Sequence, residues 1–357
     1  MPELSFKKSH PKLVQKLQKG LVRCLACSHK CVIAPNKTGI CGIRANKDGQ
    51  LYLLPYGKGF MHIDPMEKKP LYHFYPGELI LSIGTIGCNF KCLFCQNYDI
   101  SQIQHYVEVE KFLKHLQDLP PQKIVKIAQE QELKFIAYTY NEPTVYFEYT
   151  HDTAKLAQKH GIKNVYVSNG YQSAESRQLL AKVLDAINID LKGFDEKTYI
   201  KLFGGKLQPV LDNIKFFHDA GVWLEVTTLV IPGHNDSDDE LTKIAEFLAD
   251  IDVNIPWHIS RFFPSYKMLN TPVTPLETLV RAYKIGKRAG LNYVYLGNIP
   301  DAPELQKYNN TYCPKCDNLL IERQGYDTKI VGLKGNKCAK CGATIAGRFY
   351  QEDDGKK

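Results

Sequence analysis

The eleven cysteines of this 357-residue chain stand in three groups, and none lies outside them. The groups are Cys24, Cys27, Cys31 and Cys41; Cys88, Cys92 and Cys95; and Cys313, Cys316, Cys338 and Cys341. Such close spacing is typical of metal ligands, whereas buried apolar cysteines would be scattered singly. Disulfide frameworks are typical of short secreted chains, and this long chain starts without the apolar core of a signal peptide. The sequence therefore predicts three metal sites.

The central group has only three cysteines, at positions i, i+4 and i+7 of the segment 85–97. Three thiolates can bind three irons of a cubane cluster, which leaves the fourth iron free for a substrate atom. A structural zinc site or an electron-transfer cluster would normally have a fourth protein ligand. The spacing therefore favours a 4Fe–4S cluster that takes part in chemistry.

The two outer groups each have four cysteines. The C-terminal group consists of two CxxC pairs and resembles a zinc ribbon, with an auxiliary iron–sulfur cluster as the alternative. The N-terminal group could bind zinc or a second cluster, and His29 within it is a further potential zinc ligand.

The strands and helices that must position these residues alternate regularly along the chain. Apolar runs of strand length occupy 78–85, 135–141, 164–169, 186–192, 223–231, 257–263 and 293–298. Helical patterns lie between them at 124–132, 144–160, 176–185, 211–221, 238–251 and 276–290. This alternation predicts βαβ units in a parallel sheet, as a partial (β/α)6-type barrel or, alternatively, a doubly wound open sheet.

Composition and charge limit the class of protein to which the chain can belong. An apolar content of 44% and a charged content of 24% are ordinary for a globular protein, and no apolar stretch has membrane-spanning length. We therefore expect a cytoplasmic protein with three parts: a Cys-rich segment (1–78) that opens on a short helix, the barrel (79–305) and a separable zinc-ribbon-like module (306–357). The net charge of +8 is compatible with nucleic acid but is spread along the chain.

The segment CNFKCLFC at 88–95 resembles the cluster loop of the radical S-adenosylmethionine (SAM) superfamily, with Phe94 as its aromatic residue. The resemblance implies that SAM binds the open iron and is cleaved to a 5′-deoxyadenosyl radical, which abstracts hydrogen from a substrate. It also implies an α/β partial barrel, in agreement with the alternation of elements.

Polar residues at the ends of later strands resemble the SAM-binding positions of this superfamily. Asn141 and Glu142 end the second strand, Ser168 and Asn169 the third, and Asp190 and Lys192 the fourth. The resemblance implies that Glu142 accepts from the SAM ammonium group and that Lys192 meets its carboxylate. His258 or Arg261 is expected to supply a further carboxylate contact. An ordinary turn at Glu142 and a local ion pair at Asp190 and Lys192 remain the alternatives.

Two resemblances bear on the substrate. The core up to Asp236 is similar to pyruvate formate-lyase activating enzymes, which implies a protein substrate and an electron donor such as ferredoxin or flavodoxin. Long segments, including 64–77 and 87–102, resemble the radical SAM family of the AmmeMemoRadiSam system, whose companions are Memo-like and AMMECR-like proteins. RNA modification is the alternative function. A non-catalytic zinc-ribbon protein is disfavoured, because it would be expected to have a degraded cysteine loop.

Overall fold

The N-terminal segment is built from short antiparallel strands. The computed structural model describes residues 6–103 and 109–350. The first strands are β1 (Lys7–Lys8), β2 (Val14–Lys16), β3 (Val22–Cys24), β4 (Val32–Ile33), β5 (Arg44–Lys47) and β6 (Gln50–Leu53). They form two three-stranded sheets, in the orders β1-β6-β5 and β2-β3-β4. The prediction of a short helix at the start of the chain is wrong for the described residues, because β1 and β2 form there and pair with strands later in the chain.

A nine-stranded sheet forms the centre of the molecule. Its strands are β7 (Lys58–Pro65), β8 (Leu79–Gly84), β9 (Gln117–Asp118), β10 (Phe135–Tyr138), β11 (Lys163–Ser168), β12 (Ala186–Asp190), β13 (Trp223–Val230), β14 (Trp257–Arg261) and β15 (Val294–Gly297). Their order is β15-β14-β13-β12-β11-β10-β8-β7-β9, with the seven strands from β15 to β8 parallel. The sheet has two ends and so makes the predicted partial barrel.

The helices alternate with these strands as predicted. They are α1 (Tyr98–Ser101), α2 (Val109–Phe112), α3 (Pro121–Glu130), α4 (Phe147–Lys159), α5 (Ala174–Leu180), α6 (Glu196–Thr198), α7 (Gln208–Asp219), α8 (Asp238–Ile251), α9 (Leu276–Arg288) and α10 (Pro303–Gln306). Local sequence explains several starts: Ser173 closes a capping box on α5, and Ser237 caps α8. Six helices, α3, α4, α5, α7, α8 and α9, connect the seven parallel strands. None of the helices within the described ranges is both long and apolar enough to cross a membrane.

The C-terminal module packs directly against the barrel. It contains β16 (Thr311–Tyr312), β17 (Leu319–Gln324), β18 (Asp327–Ile330), β19 (Leu333–Lys334) and β20 (Lys337–Cys338). Leu320 and Ile321 share one apolar cluster with the barrel residues Tyr293 and Tyr295. Part of the core of the module therefore belongs to the barrel, and the separability of the module stays a prediction from the sequence.

Arg323 is the main polar contact across this junction. Its side chain is fully buried and donates to the carbonyl of Tyr72 at 2.8 Å and to the hydroxyl of Thr311 at 2.9 Å. Its Nε lies 3.7 Å from the buried carboxylate of Glu67. A buried charge is tolerated only with such partners, so this cluster fixes the module on the barrel.

We expect Arg323→Met to lower the free energy of unfolding by about 3–5 kcal/mol, because Glu67 would lose its buried counter-charge. Urea unfolding of the variant and the parent protein measures this difference. Lys329→Met is the matched control, since Lys329 is exposed on the neighbouring strand. Equal losses in the two variants would contradict the role given to Arg323.

Candidate active site and cysteine clusters

A cavity of about 560 Å³ lies at the carboxyl ends of the parallel strands. This is the face on which α/β barrels place their sites, because loops from all strands converge there. Its wall includes most of the residues singled out from the sequence: Cys88, Cys92, Phe94, Cys95, Asn141, Glu142, Ser168, Asn169, Asp190 and Lys192. The parallel sheet therefore brings together residues as far apart in the chain as Cys88 and Lys192.

Three thiols of the cysteine loop (residues 85–97) line one side of this cavity. Backbone bonds hold the loop: the amide of Lys91 donates to the carbonyl of Phe203 at 2.8 Å, and that of Leu93 to Leu202 at 3.1 Å. Burial raises the pKa of the Cys92 thiol to about 12, although the ammonium group of Lys192 opposes this effect. A bound metal would therefore have to stabilise the thiolate form. Three thiols on one cavity wall fit three irons of a cubane.

Asn141 joins the end of β10 to the cysteine loop. Its Oδ1 accepts from the amide of Thr85 at 3.3 Å, and its Nδ2 donates to the carbonyl of Gly87 at 2.7 Å. Gly87 has a φ of +83°, and a Cβ there would lie 2.7 Å from the carbonyl oxygen of Cys41. Only glycine suits this position, where the chain turns tightly against the N-terminal segment.

Glu142 joins the ends of β10 and β11. Its carboxylate accepts from the amides of Thr144 at 2.9 Å and Asn169 at 2.7 Å, and from the Ser168 hydroxyl at 2.9 Å. Burial raises the pKa of this carboxyl, while the hydrogen bonds oppose the rise. Asn169 also donates from Nδ2 to Oδ1 of Asn89 in the cysteine loop at 2.7 Å. The strand ends and the loop thus form one hydrogen-bonded unit.

Asp190 and Lys192 form an ion pair in the cavity wall, with 2.7 Å between Oδ2 and Nζ. Burial disfavours the ammonium group, but the Asp190 carboxylate outweighs burial and holds the pKa of Lys192 above its usual range. Nζ also lies 5.9 Å from the centre of the Phe94 ring. Phe94 packs edge-on against Phe203, which keeps the ring beside the cysteines.

The structure places His258 and Arg261 outside this wall. Arg261 donates from Nε to the carbonyl of Thr274 at 2.8 Å, and its guanidinium lies over the ring of Phe263. His258 is buried and lies 2.6 Å from the carboxylate of Glu225. Neither residue is among those that line the cavity. The direction of these side chains depends on contacts with other segments of the chain, which the local sequence does not reveal.

Several wall residues were not predicted as site residues. Lys68, Lys69 and Tyr140 also line the cavity. Both Lys69 Nζ, at 2.7 Å, and the Tyr140 hydroxyl, at 2.6 Å, donate to Asp64. Tyr326 reaches the cavity from the turn between β17 and β18. The segment 64–77 was conspicuous in the sequence, but no local signal could have connected Tyr326 with the barrel.

The structure also brings the cysteines of each outer group close together. Sγ of Cys313 lies 3.6 Å from Sγ of Cys341, and Sγ of Cys316 lies 3.8 Å from Sγ of Cys338. All four sulfur atoms lie within 4.8 Å of one another and could hold one metal ion. The N-terminal group, namely Cys24, Cys27, Cys31 and Cys41, surrounds a small cavity beside the cysteine loop.

The chain is similar to several known proteins. Residues 82–248 match the family described as the radical SAM superfamily. The chain is 42% identical to an uncharacterized protein of Methanocaldococcus jannaschii, over 93% of this chain and 97% of that protein. It is 23% identical to the pyruvate formate-lyase 1-activating enzyme of Escherichia coli K12, over 46% of this chain and 66% of that enzyme. The structure of Streptococcus suis SuiB aligns with a TM-score of 0.49 at 16% identity, covering 70% of this chain and 56% of SuiB.

We expect Glu142→Gln to destabilise the protein by about 1–3 kcal/mol, because the new amide group would face backbone donors that need an acceptor. Anaerobic urea unfolding of the metal-free protein measures this loss separately from SAM binding. The control is Glu130→Gln, since Glu130 is more than half exposed at the end of α3. Unchanged stability would show that Glu142 does not hold the strand ends together.

Proposed function

Since the chain belongs to the radical SAM superfamily, we propose that Cys88, Cys92 and Cys95 hold the 4Fe–4S cluster at which this enzyme cleaves SAM. When bound, the cluster supplies the electron that splits SAM into methionine and a 5′-deoxyadenosyl radical, which takes hydrogen from the substrate. One observation carries the assignment: the three thiols share a single cavity with the polar ends of the neighbouring strands.

The remaining wall residues support binding of the two ends of SAM. A carboxylate offers about four acceptor positions. Three donors already occupy Glu142, namely the amides of Thr144 and Asn169 and the Ser168 hydroxyl. The hydroxyl lies near both carboxylate oxygens but counts once, because it has a single proton. One position is left for the ammonium group of SAM. Lys192 is charged and lies near the cysteines, so its ammonium group suits the SAM carboxylate. Ser168 and Asn169 position Glu142, and Asp190 positions Lys192.

We propose a protein substrate, in the manner of an activating enzyme. The relationship to pyruvate formate-lyase 1-activating enzyme supports this choice. Memo-like and AMMECR-like proteins are the companion candidates, on the resemblance noted in the sequence. Modification of RNA is the second candidate, favoured by the net charge of +8.

A basic surface beside the cysteine loop supports an acidic electron donor. Lys91, Lys201 and Lys267 are exposed and line one shallow depression on the outer side of the loop. Positive charge of this kind steers a negatively charged partner of the ferredoxin or flavodoxin type.

We expect Cys92→Ala to remove the cluster of the cysteine loop and to abolish 5′-deoxyadenosine formation from SAM and dithionite. Iron and sulfide analysis of anaerobically purified protein, with chromatography of the SAM products, measures both effects. Cys316→Ala is the matched control, because it removes a thiol from the C-terminal group instead. Full SAM cleavage by Cys92→Ala would refute the assignment.

We further propose that the C-terminal cysteines bind one zinc ion. Thiolates at 2.3 Å from a tetrahedral ion lie about 3.8 Å apart, close to the spacing of the two sulfur pairs. Cys316→Ala should therefore remove one zinc per chain by elemental analysis and lower the melting temperature. Cys92→Ala should leave the zinc content unchanged. Loss of iron rather than zinc from Cys316→Ala would assign a cluster to this group.

The substrate class can be tested with SAM, reductant and purified companion proteins under anaerobic conditions. A protein substrate of the activating-enzyme type should acquire a stable organic radical, detected by electron paramagnetic resonance, only with the parent enzyme. Cys92→Ala provides the matched control. Tight tRNA binding that weakens steeply with salt, without such a radical, would favour the RNA alternative.

A further inference from the structure

The N-terminal cysteines Cys24, Cys27, Cys31 and Cys41 form a site with four thiol ligands, which takes no part in the proposed cleavage of SAM. We propose that they hold a second 4Fe–4S cluster rather than zinc. This inference goes beyond the proposed function and does not depend on it, because the two sets of ligands are separate.

The four thiols converge on one enclosed space. All four line the same cavity, and the side chains of Cys24, Cys27 and Cys41 are more than nine-tenths buried. Cys31, the fourth, is partly exposed.

The spacing of the sulfur atoms distinguishes the metals. The C-terminal sulfurs all lie within 4.8 Å of one another, as thiolates around a single ion must. Among the residues that the structure describes, no three of the N-terminal sulfurs meet that criterion. The cysteine loop, Cys88 to Cys95, likewise does not meet it. The four irons of a cubane occupy separate corners, so their thiolates stand further apart than thiolates that share one ion.

The space between the N-terminal thiols leads to the same conclusion. The cavity that they enclose measures about 10 Å³. In a closed zinc tetrahedron each sulfur is about 2.3 Å from the ion, which leaves no free volume at the centre. A void that all four thiols line is wider than the centre of a zinc tetrahedron, and it agrees with the wider spacing of the ligands of a cubane.

His29 links the site to the cysteine loop. Its Nε2 lies 2.9 Å from the carbonyl of Asn89, so this nitrogen carries a proton and donates to the cysteine loop. Asn89 directly follows Cys88, and the carbonyl of Cys41 lies against Gly87. The second cluster would therefore sit immediately behind the loop that holds the first.

The decisive experiment uses Cys88→Ala/Cys92→Ala/Cys95→Ala, in which the N-terminal site is untouched. Protein purified anaerobically, without reconstitution, is analysed for iron, sulfide and zinc and by Mössbauer spectroscopy. We expect about four irons and four sulfides per chain with the spectrum of a cubane, against about eight of each in the parent protein. No iron with a second zinc ion, or iron without sulfide, would overturn the proposal.

A reciprocal variant, Cys27→Ala/Cys31→Ala, should lose about four irons and keep the cluster of the cysteine loop. If this variant fails to fold, the triple variant still decides, because its N-terminal ligands are intact. Failure of the proposed SAM site would have a different signature, since the parent protein and the triple variant would then contain equal amounts of iron.

Discussion

The hydrogen bonds of Asn141 and Glu142 are the contacts on which the rest of the site depends. Asn141 holds the cysteine loop through the carbonyl of Gly87, and Glu142 holds the amide of Asn169 at the end of β11. The carboxyl ends of parallel strands carry backbone groups that the sheet no longer pairs, and in a buried place these groups need side-chain partners. Two adjacent residues satisfy that requirement and at the same time set the distance between the loop and the strands.

The charges in the cavity follow a related rule. Lys192 is paired with Asp190 and Lys69 with Asp64, each at 2.7 Å. Because both ammonium groups are already oriented by a carboxylate, little rearrangement is needed when an anionic group arrives. Unpaired lysines at this depth would lose their charge, so the pairs are what allow buried cations to line the cavity.

Local patterns predicted most of the barrel because each element has its own periodicity. The predicted helix at 238–251 coincides with α8, Asp238–Ile251, whose cap and amphipathic face are encoded within the segment. The cysteine loop could also be predicted, because its three thiols are close together in the sequence. The prediction of a short helix at the start was wrong because β1 pairs with β6, far along the chain, and the surroundings of Arg261 depend on Thr274, thirteen residues later. Such non-local contacts have no signature in a single sequence.

Tyr326 stands at the tip of a hairpin in the C-terminal module, yet it lines the same cavity as the cysteines of the loop. The wall of the cavity is therefore encoded by different parts of the chain, mainly by the barrel and the segment before it and in part by an appended hairpin. Mutation within that hairpin can change which molecules are accepted while the residues around the cysteines remain constant. In evolutionary terms, the module offers a route to new specificities that leaves the inherited chemistry intact.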